Sequence, residues 1–326
     1  SISSELAIAM QSAKRILLVG DHKQLPPLYS PEHAKALGRK LGVSKNRIEA
    51  NLKSDFERLF NSPYGKTVQG KLLVQYRMAP AIGEMVSACF YDDELNTGVI
   101  EPLGHSHHKD MVRMVPHIYQ QSTVKELRST VTWVDTSEKF SDAVGTTFFN
   151  KHEARKIIDL LERIHADKQL LKELKERSKL NEPPIGIICM YGEQKRHLRK
   201  QFNSKSWNED FRNLVKIDTV DSYQGKENRI IILSITRNSE DNKSGFMKMP
   251  NRINVALSRA MDRLVIFGAS RLWNMPKHQE TPLGEVFSYI NERLGDKDHY
   301  QYIADPKLEA KRHANTGNNS RRGFTH

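Results

Sequence analysis

Short apolar runs recur along the chain, and the segments between them space their apolar residues as a helix does. Runs of four to eight apolar residues bounded by polar or turn-forming residues predict buried strands. The predicted strands are 15–19, 71–75, 131–135, 185–189, 230–235 and 264–268. Strands that alternate with helices in this way indicate an α/β fold built on a parallel sheet.

Polar residues mark where several helices begin. Ser54 and Asn150 each precede a glutamate three positions later, which is the pattern of a capping box. Residues 79–90 have helical spacing, and Thr281 followed by Pro282 combines an N-cap with proline in the first turn. Residues 254–260 predict a short helix that would carry Arg259.

Turn-rich and polar stretches predict the domain boundaries. Residues 61–70 contain Asn, Ser, Pro and Gly, and the sequence becomes polar after about residue 295. We therefore predict one domain at 1–66, a second at 67–295, and a polar, disordered tail at 296–326.

The overall charge narrows the class of partner. The 326 residues carry a formal net charge of +12, with a sequence pI of about 9.5 and a mean hydropathy of −0.62. A surplus of Lys and Arg favours a polyanionic partner, because each phosphate that they neutralise releases counterions. The two cysteines, Cys89 and Cys189, lie in apolar surroundings typical of buried thiols in a reducing compartment. No apolar run is long enough to cross a membrane. From the cysteines we expect an intracellular protein, which would be cytoplasmic, or nuclear if it is eukaryotic.

Four polar segments carry groups that can hold a triphosphate, and they follow one order along the chain. They are Gly20 to Pro27, Gln75 to Met78, Thr219 to Glu227 and Asn254 to Ala260. A loop of the form Gly-x-x-x-x-Gly-Lys-Ser/Thr, the usual cradle for β- and γ-phosphates, does not occur in the sequence.

Each segment has a chemical interpretation and a plainer alternative. Asp21 and Gln24 follow a predicted strand, where a polar loop can bind a ligand or simply form a turn. Tyr76 and Arg77 can stack a base and grip a phosphate, although a core tyrosine beside a surface arginine is commoner. Arg259 alone would be an ordinary surface charge on a helix.

The third segment combines hydroxyls, a flexible backbone position and a carboxylate. Thr219 and Ser222 offer hydroxyls, Gly225 permits close backbone approach to an oxyanion, and Glu227 can hold a ribose or a metal-bound water. The alternative is a polar loop. For the whole set, we expect the Arg77 and Arg259 guanidinium groups to face one cavity at the carboxyl edge of their sheet.

Taken together, these segments resemble motifs III, IIIa, V and VI of superfamily 1B helicases. The Leu25-Pro26-Pro27 continuation and the Gln75-Tyr76-Arg77-Met78 box are similar to the subgroup of the nonsense-mediated-decay helicase and its bacterial relatives. The resemblance covers about residues 5–270. It implies two RecA-like domains, each a parallel sheet with helices on both faces, with the second complete and the first truncated. In that family, ATP and Mg²⁺ bind between the domains, and single-stranded DNA or RNA lies across their top.

The resemblance also implies residue roles. Gln24 would sense the γ-phosphate, Tyr76 would stack on the base, and Arg77 and Arg259 would act as arginine fingers. The remaining residues would bind cofactor (Asp21, Gly225 and Glu227) or nucleic acid (Thr219, Ser222 and Tyr191). The segment 185–191 departs from the family pattern, because Cys189 and Met190 replace the usual threonine and proline. No metal ligand is assigned within the chain.

The family further implies a carboxylate motif just before Ser1, so we expect the magnesium ligands and a partner RecA-like domain to lie upstream. On this interpretation the full protein is a monomeric helicase that moves 5′-to-3′ by hydrolysing ATP, and the 326 residues alone are inactive. The alternative is a non-motor module that binds nucleic acid or protein and retains relic helicase motifs.

Overall fold

Six parallel strands form the central sheet of the computed structural model, in the order β10-β3-β9-β8-β6-β7. The structure describes residues 10–26, 31–44, 47, 54–98, 116–177, 182–223, 225–239, 241 and 245–305. The sheet strands are β3 (Val131–Asp135), β6 (Ile185–Cys189), β7 (Val215–Thr219), β8 (Asn228–Ser234), β9 (Ala260–Gly268) and β10 (Tyr300–Ile303). Two small ladders accompany the sheet: a parallel pair, β1 (Val74–Gln75) with β2 (Asn96–Thr97), and an antiparallel hairpin, β4 (Asp142–Val144) with β5 (Thr147–Phe149).

Helices cover both faces of this sheet. In order they are α4 (Pro80–Phe90), α5 (Pro116–Gln121), α6 (Lys151–Ala166), α7 (Lys168–Glu176), α8 (Gly192–Asn203), α9 (Glu209–Leu214), α10 (Pro250–Leu257), α11 (Ser270–Trp273), α12 (Pro276–Gln279) and α13 (Pro282–Glu292). Short 3₁₀ turns lie at Lys125–Leu127, Val220–Tyr223 and Gly245–Lys248. The predicted α/β fold with a parallel sheet is confirmed.

Alternate strand residues divide between two cores, which is why the central strands are apolar throughout. On one face, Ile187 and Ile232 join Ile157 of α6 and Phe202 of α8 in a buried cluster. On the other face, the Trp133 ring packs edge-on against Phe287 of α13, with their centroids 4.9 Å apart. Trp133 also donates its indole N–H to the Gly268 carbonyl at 3.0 Å.

The chain divides into a unit of residues 1–72 and a unit of residues 73–326. The first unit contains α1 (Pro31–Leu41), α2 (Asp55–Phe60) and α3 (Pro63–Val68). Within it the rings of Phe56 and Phe60 stack with centroids 5.8 Å apart. Our predicted boundary between residues 66 and 67 lies six residues before this division, and the assignment of the first unit to a RecA-like domain stays a prediction.

Two strand predictions need correction. The run 15–19 forms no strand, and Leu17 and Val19 are 88% and 81% exposed. A strand needs a neighbour to accept its backbone hydrogen bonds, and no described residue pairs with this run. The predicted strand at 71–75 shortens to Val74–Gln75 for the same reason, because its partner β2 is two residues long.

The predicted disordered tail also needs correction at its start. Residues 300–303 form β10, which pairs along its whole length with β3. Tyr300 is 4% exposed, and its hydroxyl donates to the Ala81 carbonyl at 3.0 Å. Residues 306–326 lie outside the described residues. Among the residues that the structure describes, none of the helices has the length and apolar character to span a bilayer.

Candidate functional site

Glu227 and Arg259 lie side by side because each comes directly before a strand. Glu227 precedes β8 and Arg259 precedes β9, and these strands are parallel neighbours. The Asn228 N–H donates to the Arg259 carbonyl at 3.1 Å, which fixes the two strand starts together. This is the amino edge of the sheet. Our expectation of the carboxyl edge was wrong, since residues that precede parallel strands meet where those strands begin.

Arg77 is brought to the same place by the loop that follows β1. The side chain of Gln75 organises this loop, because its Oε1 accepts the N–H groups of Arg77 at 2.9 Å and Met78 at 2.7 Å. Its Nε2 donates to the Met78 carbonyl at 3.0 Å and to Thr97 Oγ1 at 2.8 Å. The Ala79 N–H then donates to the Met261 carbonyl of β9 at 2.7 Å. Gln75 is therefore a positioning residue, to which the sequence pattern had assigned no role.

The three segments meet through their side chains. Arg77 Nε lies 2.5 Å from Glu227 Oε2, and its NH1 donates to the Ser258 carbonyl at 3.3 Å. Arg259 NH1 donates to the Lys226 carbonyl at 3.3 Å, and its Nε donates to the Val255 carbonyl at 3.2 Å. The two arginines thus contact consecutive residues, Lys226 and Glu227. That both guanidinium groups face one cavity as arginine fingers stays a prediction.

The two arginines differ in exposure. The side chain of Arg77 is 34% exposed and that of Glu227 is 25% exposed, so both reach solvent. Arg259 is only 1% exposed. It also lies in a turn after α10 rather than on the predicted helix 254–260, because α10 ends at Leu257 and β9 begins at Ala260. In this conformation Arg77 can meet an incoming anion, whereas Arg259 braces the backbone behind it.

Tyr76 and Gly225 lie in the segments that carry Arg77 and Glu227. Tyr76 is 53% exposed, and its ring lies so close to Gly98 that a Cβ at that glycine would overlap it. Gly225 has a φ of +79°, a conformation that side chains disfavour. Apart from its chain neighbours, no residue that the structure describes comes within 4 Å of the place where a Cβ would stand.

The segment 220–227 crosses the sheet from one edge to the other. It leaves the carboxyl end of β7 at Thr219 and enters the amino end of β8, with β6 between the two strands. The Tyr223 ring, which is fully buried, passes over β6 at Gly186, where a Cβ would come within 2.6 Å of its hydroxyl. Thr219 and Ser222 stay at the carboxyl edge, with their hydroxyl oxygens 3.3 Å apart.

Tyr191 also lies at the carboxyl edge, but it is 3% exposed. Its ring packs edge-on against Phe148, and the guanidinium of Arg237 lies 4.0 Å from the Phe148 centroid. Burial raises the pKa of Tyr191 to about 12, although Arg237 favours the phenolate. In this conformation Tyr191 supports the edge from beneath rather than offering its ring to a ligand.

Asp21 and Gln24 belong to the first unit and organise a turn there. Asp21 accepts the Lys23 N–H at 2.9 Å through Oδ1, and the Gln24 amide at 2.9 Å through Oδ2. This local pairing gives the loop a defined shape.

Glu138, His152 and Asp305 bring potential metal-binding atoms within 4.8 Å of one another. Arg155 lies 3.1 Å from His152 Nδ1 and can only donate to it, so Nε2 carries the ring proton and donates to Asp305 at 2.9 Å. Lys156 lies 3.2 Å from the same carboxylate. With the ring proton and a lysine already directed at Asp305, the group is an ion-pair cluster that ties α6 to the end of β10.

Comparison with known proteins finds one matching family and several similar proteins. The AAA_12 family, described as an AAA domain, matches residues 52–271. The ATP-dependent helicase upf1 of Schizosaccharomyces pombe is 31% identical over 270 residues, which cover 82% of this chain and 25% of that protein. The ATP-dependent helicase NAM7 of Saccharomyces cerevisiae is 30% identical over 276 residues, covering 81% of this chain and 24% of that protein.

A relative of a different description also matches. The DNA replication ATP-dependent helicase/nuclease DNA2 of Saccharomyces cerevisiae is 27% identical over 300 residues, covering 89% of this chain and 18% of that protein. The chain therefore spans about a quarter or less of the length of these curated relatives.

Proposed function

Because the chain belongs to the AAA_12 family of AAA domains, within the superfamily 1B helicases, we propose that it works as part of an ATP-dependent helicase or translocase. The track would be single-stranded DNA or RNA, and the 5′-to-3′ direction follows from the family resemblance. The observation that carries the proposal is the meeting of Arg77, Glu227 and Arg259 at the amino edge of the sheet.

A phosphate group fits the chemistry of this cluster. Arg77 is partly exposed and already binds the Glu227 carboxylate through Nε, so its guanidinium can exchange that carboxylate for a phosphate oxygen. Gly225 has no side chain that would keep a phosphate from its backbone, and the exposed ring of Tyr76 offers a face for a base. ATP, when bound here, would supply the free energy of phosphoryl transfer.

Each side chain then has a separate task. Arg77 would neutralise charge on the transferring phosphate, and Arg259 would reach it once its bonds to the Val255 and Lys226 carbonyls open. Glu227 holds Arg77 in place until the anion arrives. Since Glu227 is paired with Arg77, we assign no Mg²⁺ to it.

Nucleic acid is assigned to the opposite, carboxyl edge. Thr219 and Ser222 present hydroxyls there, and hydroxyl contacts to phosphate position a strand without reading its sequence. Tyr191 would act indirectly, by supporting this edge. Asp21 and Gln24 are proposed to sense the γ-phosphate from their turn in the first unit, in a protein that works as a monomer.

The test compares Arg77→Ala and Arg259→Ala in the full-length protein. Both variants should lower ATP hydrolysis by at least about 10³-fold while leaving nucleotide affinity nearly unchanged. Arg58→Ala is the matched control, because its side chain is 72% exposed and pairs only locally with Asp55.

Measurements of the free energy of unfolding distinguish the roles of the two arginines. Arg259→Ala should also lower the free energy of unfolding by about 1–3 kcal/mol, because the buried carbonyl of Val255 loses its donor. Arg77→Ala should lower it by less, because the ion pair of Arg77 with Glu227 is partly exposed on both sides. Loss of hydrolysis in step with loss of nucleotide binding would remove both arginines from the transition state. A full-length protein with no ATP turnover on either nucleic acid would favour the non-motor module.

A further inference from the structure

The loops that follow β3 and β9 present an aromatic ring over an arginine at the carboxyl edge. Phe140 is 46% exposed, and the Arg271 guanidinium lies 4.9 Å from its ring centroid. An exposed ring on a loop is usually mobile. Here, buried hydrogen bonds fix the backbone beside Phe140 and the guanidinium of Arg271. Neither residue lies in the polar segments 20–27, 75–78, 219–227 and 254–260.

Asp135, at the end of β3, ties the two loops together. It is 3% exposed, and its Oδ1 accepts the hydroxyl and the N–H of Ser137 as well as the Ser270 N–H at 2.9 Å. The Ser137 hydroxyl in turn accepts the Arg271 N–H at 3.0 Å. The backbone on both sides of the pair is therefore fixed from below.

Asn238 also contacts both of these loops. It is fully buried, and its Nδ2 donates to the Lys139 carbonyl at 2.9 Å while its Oδ1 accepts Arg271 NH2 at 2.8 Å. The Ser141 N–H donates to the Asn238 carbonyl at 2.8 Å. Asn238 thus fixes the Lys139 side of Phe140 through its side-chain amide and the Ser141 side through its backbone carbonyl. Its side-chain oxygen also holds the guanidinium beneath the ring.

We infer that Phe140, backed by Arg271, is a base-stacking platform for single-stranded nucleic acid. A flat exposed ring on a rigid loop stacks any base, because every base has a π-face, and a guanidinium at its other side adds a cation for the neighbouring phosphate. Exposed Lys139 lies beside it in sequence. This inference rests on the proposed function, and it adds a base contact to the backbone contacts assigned to Thr219 and Ser222.

The position of the platform fits one continuous strand of nucleic acid. Phe140 follows β3 and Thr219 ends β7, and both lie at the carboxyl edge of a single sheet. Four strand spacings separate them, which is roughly 19 Å at about 4.8 Å each. That span suits a few extended nucleotides, and it keeps them at the edge opposite the Arg77–Glu227 pair.

The test measures binding of the purified chain to a short oligothymidylate, an oligouridylate and an abasic oligonucleotide of equal charge. Phe140→Ala should weaken binding to both base-carrying strands by about 5- to 100-fold and leave the abasic strand unaffected. Phe140→Trp should restore the affinity, and its fluorescence should fall when a base stacks on it. The control is Val144→Ala, since Val144 is 44% exposed in the neighbouring hairpin and has no π-face.

Three outcomes overturn the platform. They are unchanged affinity in Phe140→Ala, an equal loss on base-carrying and abasic strands, and a loss that Phe140→Leu and Phe140→Trp repair equally. In each of these, binding by the unsubstituted chain still supports the proposed function. If the unsubstituted chain binds neither base-carrying strand, the nucleic-acid part of the proposed function fails together with the platform.

Discussion

At the residue scale, Glu153 shows how a capping pattern can serve another purpose. Only one of the two hydrogen bonds of the predicted capping box is present: Asn150 Oδ1 accepts the Glu153 N–H at 3.0 Å. The Glu153 carboxyl group does not reach back to Asn150. It accepts the Ser234 hydroxyl, the Thr236 N–H at 2.9 Å and the Thr136 hydroxyl at 3.2 Å. These partners join α6 to the ends of β3 and β8.

Burial makes this carboxyl group sensitive to pH. Burial raises the pKa of Glu153 from 4.5 to about 8, against the opposing effect of its three hydrogen bonds. The folded state therefore retains a proton between these two pH values that the unfolded chain has released. Its contribution to stability is fully present below pH 4.5 and is lost as the pH rises through about 8.

We predict that Glu153→Gln removes this pH dependence. Between about pH 5 and about pH 9, the free energy of unfolding of the unsubstituted chain should fall relative to the variant by more than about 1 kcal/mol. Denaturant titrations across the range measure the difference. Glu162→Gln, on the exposed side of the same helix, is the control and should keep the original slope. Parallel slopes for Glu153→Gln and the unsubstituted chain would contradict the assignment.

The sequence indicated which segments come together, but it did not indicate how deeply their residues are buried or at which edge of the sheet they lie. The association of Arg77 with the segments of Glu227 and Arg259 followed from their motif order. The burial of Arg259 and Tyr191 did not, because burial depends on which elements pack above a residue. The edge of the sheet was predictable in principle, since the chain direction alone places a residue that precedes a strand at its amino end.

At the element scale, an ion-pair cluster anchors the end of β10. The strand lies at the edge of the sheet, next to β3, and Asp305 follows it. Asp305 is 1% exposed and contacts His152 at 2.9 Å and Lys156 at 3.2 Å. Burial alone would raise its pKa, but the His152 hydrogen bond and the Lys156 charge hold the pKa below its usual value.

We predict that Asp305→Ala lowers the free energy of unfolding by about 3 kcal/mol, because Lys156 and His152 lose a buried partner. Asp142→Ala provides the comparison. Its ion pair with Lys151 is 3.9 Å long and more than half exposed on both sides, so the loss should stay below about 1 kcal/mol. Thermal and denaturant unfolding measure both. Equal effects of the two substitutions would show that the cluster does not anchor β10.

Strand prediction succeeded where a run is apolar and enclosed. The runs at 131–135 and 185–189 match β3 and β6 residue for residue, since both lie inside the sheet. β10 was missed because an edge strand has fewer covered side chains, so its sequence can be polar. The opposite error occurred at 15–19, where an apolar run predicted a strand that does not form, because hydrophobicity alone supplies no hydrogen-bonding neighbour.

At the scale of the whole molecule, the second unit places its two groups of candidate binding residues at opposite ends of the sheet strands. Arg77 and Glu227 lie where β8 begins, and Thr219 and Phe140 lie where β7 and β3 end. Under the proposed function, the phosphate of a nucleotide and the phosphates of a strand would occupy opposite edges. A basic protein can therefore bind both anions without competition between them.

The 326 residues on their own should not hydrolyse ATP measurably. They contain no Gly-x-x-x-x-Gly-Lys-Ser/Thr loop to hold the β- and γ-phosphates, so arginines alone cannot position the transferring group. Release of inorganic phosphate from ATP, with and without single-stranded DNA or RNA, measures this. Turnover stimulated by nucleic acid in the purified chain would contradict it and would require a phosphate-binding loop of another kind.

The register of the sheet fixes how far the chain travels between β7 and β8. Thr219 lies level with Cys189 and therefore with Ser234, six residues beyond the start of β8 at Asn228. The chain thus returns roughly 20 Å along the strands and crosses roughly 10 Å sideways over β6. Both ends of the connection are held in the sheet, and between them the Tyr223 ring packs over Gly186. Evolution could therefore vary the side chains of this connection more freely than its length, because an added or deleted residue would have to be absorbed between these fixed points.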